Sequence, residues 1–175
     1  MARRDPLADL DRLIPSIYAY VAYRVGDGPD ADDVTSDTIE RALRYREGYD
    51  ASKGDPMAWL IGIARNCISA MVSTRKRAHD PRAPDSEMSP QDVELETGRR
   101  LTLRDAVAGL DERERELIAL RYGADLTARQ IGTVLGLRPN AVEVALHRAL
   151  GRLRDELDRE PSGELRPSTS RAVRF

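Results

Sequence analysis

The sequence predicts an all-α protein made of two small helical domains joined by a flexible acidic linker, and three observations support this fold class. Apolar residues recur at three- and four-residue spacing in almost every segment, which indicates amphipathic helices. Alternating β-branched runs, which are typical of strands, do not occur. Residues 79–98 combine three prolines with six acidic residues against the single Arg82, a net charge of −5. Such a composition buries too little apolar surface to order itself.

The first block, residues 1–78, contains three predicted helices separated by stretches rich in glycine and aspartate. We place these helices at Leu7–Val25, Ala31–Arg44 and Pro56–Arg75. In the second of them, three carboxylates at i, i+4 and i+7 form an acidic stripe opposite three apolar side chains. The stripe consists of Asp33, Asp37 and Glu40, and the apolar residues are Ile39, Ala42 and Leu43. Such a stripe is usually a solvated face, although it can also bind a basic partner.

The third predicted helix is apolar on two faces, so we expect it to be mostly buried. One face consists of Leu60, Ile63, Ala64, Cys67 and Met71, and the other of Ile61, Ile68 and Val72. Cys67 is most simply a small core hydrophobe, because a redox sensor requires an exposed, reactive thiol. The helix ends in the basic run Arg75, Lys76 and Arg77.

The second block, residues 99–160, contains at least three further helices with clearly marked starts. Asp111 followed by Glu114 makes one capping box, and Thr127 followed by Gln130 makes another. Each box satisfies backbone N–H groups that the first turn of a helix leaves without a partner. We therefore expect one helix to begin after Asp111 and another to begin after Thr127.

The end of the second block has helix-turn-helix spacing. Gly136 suits the positive φ that often ends a helix, and Pro139 suits the first turn of the next one. The last helix has an apolar stripe for the core, formed by Val142, Leu146, Ala149 and Leu153. The residues left to face outward are Asn140, Glu143, Val144, His147 and Arg148. This pattern is typical of a DNA-binding domain, and it also suits a small helical bundle.

Charge and composition exclude several classes of function. Lys and Arg number 28 against 30 Asp and Glu, a formal net charge of −2, so any contact with DNA must be local. The single cysteine allows no disulfide within the chain, which fits the reducing cytoplasm. No apolar run approaches the roughly 20 residues that cross a bilayer, so we expect no membrane insertion. The sequence has no nucleophile cluster, phosphate loop or metal-ligand spacing, and we expect neither an enzyme nor a cofactor.

Three segments, in order along the chain, resemble the bacterial sigma factors of the extracytoplasmic-function group in the sigma-70 family. DADDVTSDTIERAL resembles their core-polymerase-binding helix, and PMAWLIGIARN resembles their promoter-melting helix. Residues 106–154 resemble their C-terminal domain, which reads the upstream, minus-thirty-five promoter element. The resemblance divides the chain into region 2 at 1–78, the linker at 79–98, region 4 at 99–160 and a disordered tail at 161–175.

The resemblance implies an alternative sigma factor, a non-catalytic subunit that binds core RNA polymerase and directs promoter recognition. Asp33, Asp37 and Glu40 match the family helix that docks on the largest subunit of the polymerase. The implied partners are therefore core polymerase, promoter DNA and an anti-sigma factor.

The resemblance also implies contacts with the downstream, minus-ten element. Asn66 occupies the asparagine position of the family. Trp59 is either a platform for the melted strand or a core aromatic. Arg75, Lys76 and Arg77 offer phosphate contacts or simply cap a helix end.

For the upstream element the candidate DNA-binding residues are Arg138, Asn140, Glu143, Val144, His147 and Arg148. Arg152 and Arg154 add phosphate anchoring further along the same helix. Glu143 is unusual beside phosphates. Its carboxylate could accept a hydrogen bond from the exocyclic amine of cytosine. The alternative is that it pairs with His147 or is simply solvated.

The chain departs from the family at two places. After Asn66 the family usually has an acidic residue and then paired arginines, whereas this chain has Ala70, Ser73 and Thr74, so fewer side chains reach the downstream element. In the last helix the family commonly shows a small hydroxylated residue and then Val-Lys-Ser-Arg, whereas residues 141–145 read AVEVA. The following residues, 146–149, do match.

The alternative is a free-standing helix-turn-helix transcriptional regulator whose N-terminal domain dimerises or senses a signal. Such a protein binds palindromic half-sites without polymerase.

Overall fold

The structure is a computed structural model that describes residues 5–78 and 98–159, and every regular element in these two ranges is helical. The helices are α1 at Leu10–Val25, α2 at Pro29–Tyr45, α3 at Pro56–Ala78, α4 at Gly98–Gly109, α5 at Glu112–Ile118, α6 at Ala128–Leu135 and α7 at Pro139–Arg159. A short 3₁₀ turn, Arg46–Gly48, follows α2, and a π-helical turn, Ala119–Gly123, continues α5. The predicted all-α class is confirmed. The predicted linker and tail lie almost wholly outside the described residues.

In the first block, α1, α2 and α3 pack around one core, and the helix starts differ slightly from the prediction. Pro29 occupies the first turn of α2, where its missing N–H costs nothing. At the other end of the block, Leu7 lies in a turn before α1 because the Asp5 carboxylate accepts its N–H at 3.0 Å. Leu7 is still buried, so it packs against the core without belonging to a helix.

The helix α3 supplies much of this core. By length and composition α3 could cross a membrane, a property that the core helices of soluble proteins share. In this structure Leu60, Ile61 and Ala64 from α3 have no exposed surface, and Cys67 is buried with them. Two apolar residues that we expected in the core are instead exposed, Leu43 at 48% and Val72 at 39%.

The reasons for these two exceptions are local. Leu43 lies in the last turn of α2, where Tyr45 is also exposed. The side chains at this end of the helix therefore face solvent. Val72 lines a cleft between the first and second blocks.

In the second block, both predicted capping boxes are present. The Asp111 carboxylate accepts the Glu114 N–H at 2.8 Å, and the Thr127 hydroxyl accepts the Gln130 N–H at 3.3 Å. Gly136 has the predicted left-handed conformation, with φ of 68°. These local signals therefore place the starts of α5 and α6 and the end of α6 correctly.

The two blocks share one continuous hydrophobic core, which the sequence did not predict. Helix α1 packs on the π-helical turn and on α5. At Gly123, a Cβ atom would lie 2.7 Å from both Cα and N of Tyr20, a separation that real Cβ atoms do not reach. Glycine is therefore required at this position, because the backbone of α1 approaches it directly.

Candidate nucleic-acid interface

The turn between α6 and α7 is tight because two glycines shape it. Gly136 ends α6 in the left-handed region, and the Leu137 N–H donates to the Gly132 carbonyl at 2.8 Å. A Cβ at Gly132 would lie 2.6 Å from the Leu137 carbonyl oxygen. Gly132 is thus needed for the turn, and the sequence analysis missed it, because a glycine inside a helix has no distinctive local signal.

Helix α7 presents the outward face that the sequence predicted. All four residues of its predicted apolar stripe are buried or half-buried. Arg138, in the turn before α7, is exposed. The residues predicted to face outward are exposed as well, namely Asn140, Glu143, Val144, His147 and Arg148. Glu143 has no hydrogen bond or ion pair to any residue within 5–78 or 98–159, so of the alternatives for this side chain the pairing with His147 is absent. Glu143 is therefore solvated and available to a ligand.

A groove of about 670 Å³ runs between the start of α5 and the start of α7. Its lining combines apolar side chains, among them Leu117, Val144 and Ala145, with polar and charged ones. Arg113 and Arg148 are exposed side chains of the same lining. Apolar side chains beside exposed guanidinium groups suit a base edge with a flanking phosphate. The two carboxylates of the same lining, Asp111 and Glu114, are paired with Arg152.

Arg152, which was predicted to anchor phosphate, makes two ion pairs within the protein. Its Nη1 lies 2.8 Å from Glu114 Oε1 and 3.4 Å from Asp111 Oδ2. These two carboxylates form the capping box of α5. Arg152 therefore ties α7 to α5, and Arg148 and Arg154 are two further exposed arginines of this helix.

The acidic stripe on α2 lies on the surface, as predicted. Asp33, Asp37 and Glu40 are all exposed. Glu40 pairs with Arg44 at 2.6 Å, whereas Asp33 and Asp37 have no ion pair or hydrogen bond among the side chains of the described ranges. Two unpaired carboxylates one helical turn apart attract a basic partner.

The predicted residues of α3 fall in different surroundings. Trp59 is half-buried and packs against Tyr49, with ring centroids 5.5 Å apart and planes inclined at 59°. This contact matches the core interpretation of Trp59. Asn66 is exposed and opens into the cleft between the blocks.

The basic end of α3 is partly committed to contacts within the protein. Arg75 donates a hydrogen bond to Asp30 in the first turn of α2, and this bond raises the pKa of Arg75. The Arg77 Nε donates to the Ser73 carbonyl at 3.3 Å, one turn back. The Arg77 contact matches the interpretation of a capped helix end. The Arg75 contact is an ion pair between α3 and α2, and Lys76 lines the cleft.

The cleft between the blocks has a volume of about 1080 Å³. Asn66 and Lys76 of α3 line one side, and Leu135 and Leu137 of the second block line the other. No group of three or more His, Cys, Asp or Glu side chains that could hold a metal ion occurs in the described part of the chain.

Beside this cleft, Glu116 of α5 is a buried carboxylate with three partners from the first block. The Tyr20 hydroxyl donates to Oε1 at 2.9 Å. Arg24 Nε lies 2.7 Å from Oε2, and Arg65 Nε lies 3.2 Å from Oε1. Burial, with the negative charge of Glu116 as a second cause, raises the pKa of Tyr20 far above its usual range, so its hydroxyl stays protonated and donates.

Comparison with known proteins identifies the class to which this two-block arrangement belongs. The Sigma-70 region 2 family matches residues 10–78, and the Sigma-70 region 4 family matches residues 100–153. The folds of two solved proteins, one of them described as a sigma factor, are similar to this one. RpoE of Bartonella quintana, solved with the anti-sigma factor NepR, has a TM-score of 0.69 and 18% identity over 87% of this chain and 96% of that chain. CnrH, solved with the cytosolic domain of CnrY, has a TM-score of 0.58 and 23% identity over 89% of this chain and 86% of that chain.

Two relatives of similar sequence identify the group of sigma factors within this family. The ECF RNA polymerase sigma factor SigD of Mycobacterium tuberculosis is 30% identical over 163 residues, which cover 85% of this chain and 74% of SigD. The ECF RNA polymerase sigma factor BldN of Streptomyces coelicolor is 33% identical over 146 residues, which cover 80% of this chain and 55% of BldN. The match thus spans about half the length of BldN. The chain belongs to the extracytoplasmic-function (ECF) group of the sigma-70 family.

Proposed function

We propose that this protein is an alternative sigma factor, a non-enzymatic subunit that binds core RNA polymerase in the cytoplasm and directs promoter recognition and transcription initiation. The proposal rests on two surfaces that occur together in this chain, in the same order as in the family. One is the acidic face of α2, on which Asp33 and Asp37 have no ion pair among the described residues. The other is the helix-turn-helix, whose α7 exposes polar side chains along the groove between α5 and α7.

Each surface is assigned one partner. Asp33 and Asp37, with Glu40 beside them, contact a basic helical segment of the polymerase. Charge complementarity of this kind raises the rate of association and selects the partner. Residues 1–78 act as region 2 and residues 99–160 as region 4, joined by the acidic linker 79–98.

Promoter contacts are divided between the two blocks. Asn66 and Lys76 face the downstream element. Trp59 contributes less because it is half-buried against Tyr49, and Arg75 and Arg77 contribute less because their guanidinium groups already have partners. The upstream element is read by α7 and the turn before it, through Arg138, Asn140, Glu143, Val144, His147 and Arg148. Arg113, at the rim of the same groove, adds a phosphate contact that the sequence analysis did not identify.

An anti-sigma factor is the proposed regulatory partner. RpoE and CnrH are each described in complex with another protein, NepR and the cytosolic domain of CnrY. A protein that binds this chain in the same way would control its access to polymerase.

The test is reconstitution with purified components. Core RNA polymerase free of other sigma factors is mixed with the full chain, and the mixture is separated by size-exclusion chromatography. We expect the two to elute together. The holoenzyme then transcribes a library of genomic fragments, and sequencing of the RNA 5′ ends should reveal two shared upstream elements. Palindromic binding sites in the absence of polymerase, with no co-elution, would instead support the free-standing regulator.

A further inference from the structure

The cleft between the two blocks is lined by more positive than negative side chains. Five cationic residues and two carboxylates line it, namely Arg24, Arg65, Lys76, Arg113 and Arg115 with Glu112 and Glu116. Arg24 and Arg65 pair with Glu116. Arg115 donates to three backbone carbonyls at the end of α4. Lys76 and Arg113 have no ion pair or hydrogen bond to any residue within 5–78 or 98–159. Each block therefore contributes one uncommitted positive charge to the cleft.

Gly62 leaves open space in the wall of this cleft. It lies inside α3, where glycine costs roughly 1 kcal/mol relative to alanine. A Cβ added at Gly62 would meet nothing within 4 Å. Unlike Gly123 and Gly132, this glycine is therefore not required by any neighbour in the described part of the chain. A glycine without such a neighbour lets a ligand approach the helix backbone closely, so Gly62 indicates an occupant from outside the chain.

The cleft also has an apolar surface. Val72 is 39% exposed there, and Leu135 and Leu137 line the other side half-buried. Along α3, two exposed serines that line the cleft, Ser69 and Ser73, lie beside Val72 at three- and one-residue spacing. A ligand that fills the cleft therefore needs an apolar part and a negatively charged part, with polar groups that reach serine hydroxyls.

The dimensions of the cleft fit a small, elongated molecule. Its volume of about 1080 Å³ is close to the upper end of the range for clefts that bind small molecules, roughly 300–1,000 Å³. Gly62 and Lys76 both line it, and helix geometry separates their Cα atoms by about 21 Å at 1.5 Å per residue. The lysine side chain leans back toward the N-terminus of α3, so the ligand has to span less than this distance.

We propose that the cleft binds a nucleotide that carries at least two phosphate groups. The phosphates contact Lys76 and Arg113 through charge-assisted hydrogen bonds, because these are the cations of the cleft that have no other partner. The base extends toward Gly62, where its apolar faces pack against the leucines of the second block and its edge reaches the Asn66 amide. A nucleotide combines an apolar, hydrogen-bonding end with an anionic end in one small molecule.

The site gives the protein an input for a small-molecule signal. Asn66 and Lys76 face the downstream element in the proposed function, so a bound nucleotide occupies two contacts of that element. The nucleotide therefore inhibits promoter binding. This regulatory step rests on the proposed function, whereas the binding site itself does not.

Isothermal titration calorimetry of the full chain tests the site with GTP, ATP, inorganic triphosphate and guanosine as separate probes. We expect a nucleotide to bind about tenfold or more tightly than triphosphate alone or guanosine alone, because it fills both ends of the cleft. Triphosphate that binds as tightly as both nucleotides would reduce the cleft to a phosphate site and overturn the assignment. The absence of binding at millimolar GTP and ATP would overturn the proposal as a whole.

Gly62→Leu fills the cleft without removing a charge. Because leucine favours a helix more than glycine does, urea unfolding should show a variant at least as stable as wild type. We expect it to bind nucleotide about tenfold or more weakly. Gly151→Leu is the matched control, since Gly151 is also half-buried inside a helix, has open space at its Cβ position and does not line the cleft. Equal nucleotide affinity in the two leucine variants would contradict the site.

The two charges are tested by Lys76→Gln combined with Arg113→Gln. We expect nucleotide affinity to fall about tenfold or more, because charge-assisted hydrogen bonds to phosphate are lost. Arg46→Gln combined with Arg154→Gln removes one exposed arginine from each block outside the cleft and should leave the affinity unchanged. Far-UV circular dichroism verifies that helical content is preserved. If the two double variants bind nucleotide equally well, the phosphates lie elsewhere and the proposal fails.

Single-stranded DNA is the other phosphate-bearing molecule that could occupy the cleft. Its binding is measured by fluorescence anisotropy with a labelled oligonucleotide of randomised sequence, and we expect saturating GTP to weaken it for wild type. Oligonucleotide binding that requires Lys76 and Arg113, without any nucleotide binding, would assign the cleft to DNA and overturn the proposal. A nucleotide that binds and leaves oligonucleotide affinity unchanged would overturn the regulatory step. Polymerase co-elution is measured without nucleotide, so its failure is distinguishable from all of these results.

Discussion

Arg152 of α7 lies 2.8 Å from the Glu114 carboxylate, which closes the capping box at the start of α5. The contact joins α7 to α5, across the groove between the starts of these two helices. Any rotation of α7 about its axis must therefore break an ion pair with a side chain that is only 11% exposed. The contact fixes the orientation in which Asn140, Val144 and Arg148 face outward.

Replacing Arg152 should affect stability. Because the arginine is 62% exposed and Glu114 is nearly buried, we expect Arg152→Ala to lower the free energy of unfolding by about 1 kcal/mol. Arg154→Ala, an exposed arginine two residues on, should change it by less than about 0.5 kcal/mol. Urea unfolding of the full chain measures both. Unchanged stability with weaker promoter binding would instead restore Arg152 as a phosphate anchor.

The capping box should make the second block sensitive to acid. The Glu114 backbone N–H, with further help from Arg152, lowers the pKa of the Asp111 carboxyl below its ordinary value. Because the folded-state pKa is the lower one, the stabilisation by ionised Asp111 is present at neutral pH and is lost as the pH falls below about 4. Asp111→Asn keeps a good cap that does not titrate. The stability difference between wild type and Asp111→Asn should therefore shrink between pH 6 and pH 3, and parallel curves would contradict the role of the charge.

The acidic face of α2 should control polymerase binding. We expect Asp33→Lys combined with Asp37→Lys to weaken competition for core polymerase by about tenfold or more at low salt, because like charges then face each other. Asp155→Lys with Asp158→Lys makes the same change in net charge at the end of α7 and should leave the competition unchanged. If both double variants compete equally well, the polymerase contact lies elsewhere.

A substitution of Glu143 tests whether its carboxylate reads a base or is only a solvated charge. If its carboxylate accepts a hydrogen bond from cytosine, Glu143→Lys should change the preferred base at one upstream position by about 1–3 kcal/mol of discrimination. If the charge is only a bystander, the same substitution should tighten binding to all sequences and steepen the salt dependence. Selection from a randomised upstream element with wild-type and variant holoenzyme separates the two, with Asp155→Lys as the charge control on the same helix.

Features set by neighbouring residues could be predicted from the sequence. The capping boxes at Asp111 and Thr127 and the left-handed Gly136 depend on interactions a few residues apart, so a local pattern determines them. The exposed face of α7 follows from helical periodicity for the same reason.

Features that depend on distant residues could not be predicted. Arg75 and Arg152 were assigned to phosphate because a basic residue near a helix end has the same sequence pattern whether it binds DNA or a carboxylate. The partners Asp30, Asp111 and Glu114 become visible only when the helices are packed. Contact between the blocks was missed because the linker composition indicates flexibility and carries no information about what its two ends bind.

The close approach of Gly123 to Tyr20 has a consequence for synthesis on the ribosome. The chain emerges from its N-terminus, so α1 is complete when the residues that cover Tyr20, about a hundred positions later, have not yet been made. Until then the apolar side of α1 that faces α5 is open to water and to other chains. At ordinary elongation rates of about 5–20 residues per second, the nascent first block therefore exposes this apolar surface for several seconds. The exposure ends when the second block is complete and covers it.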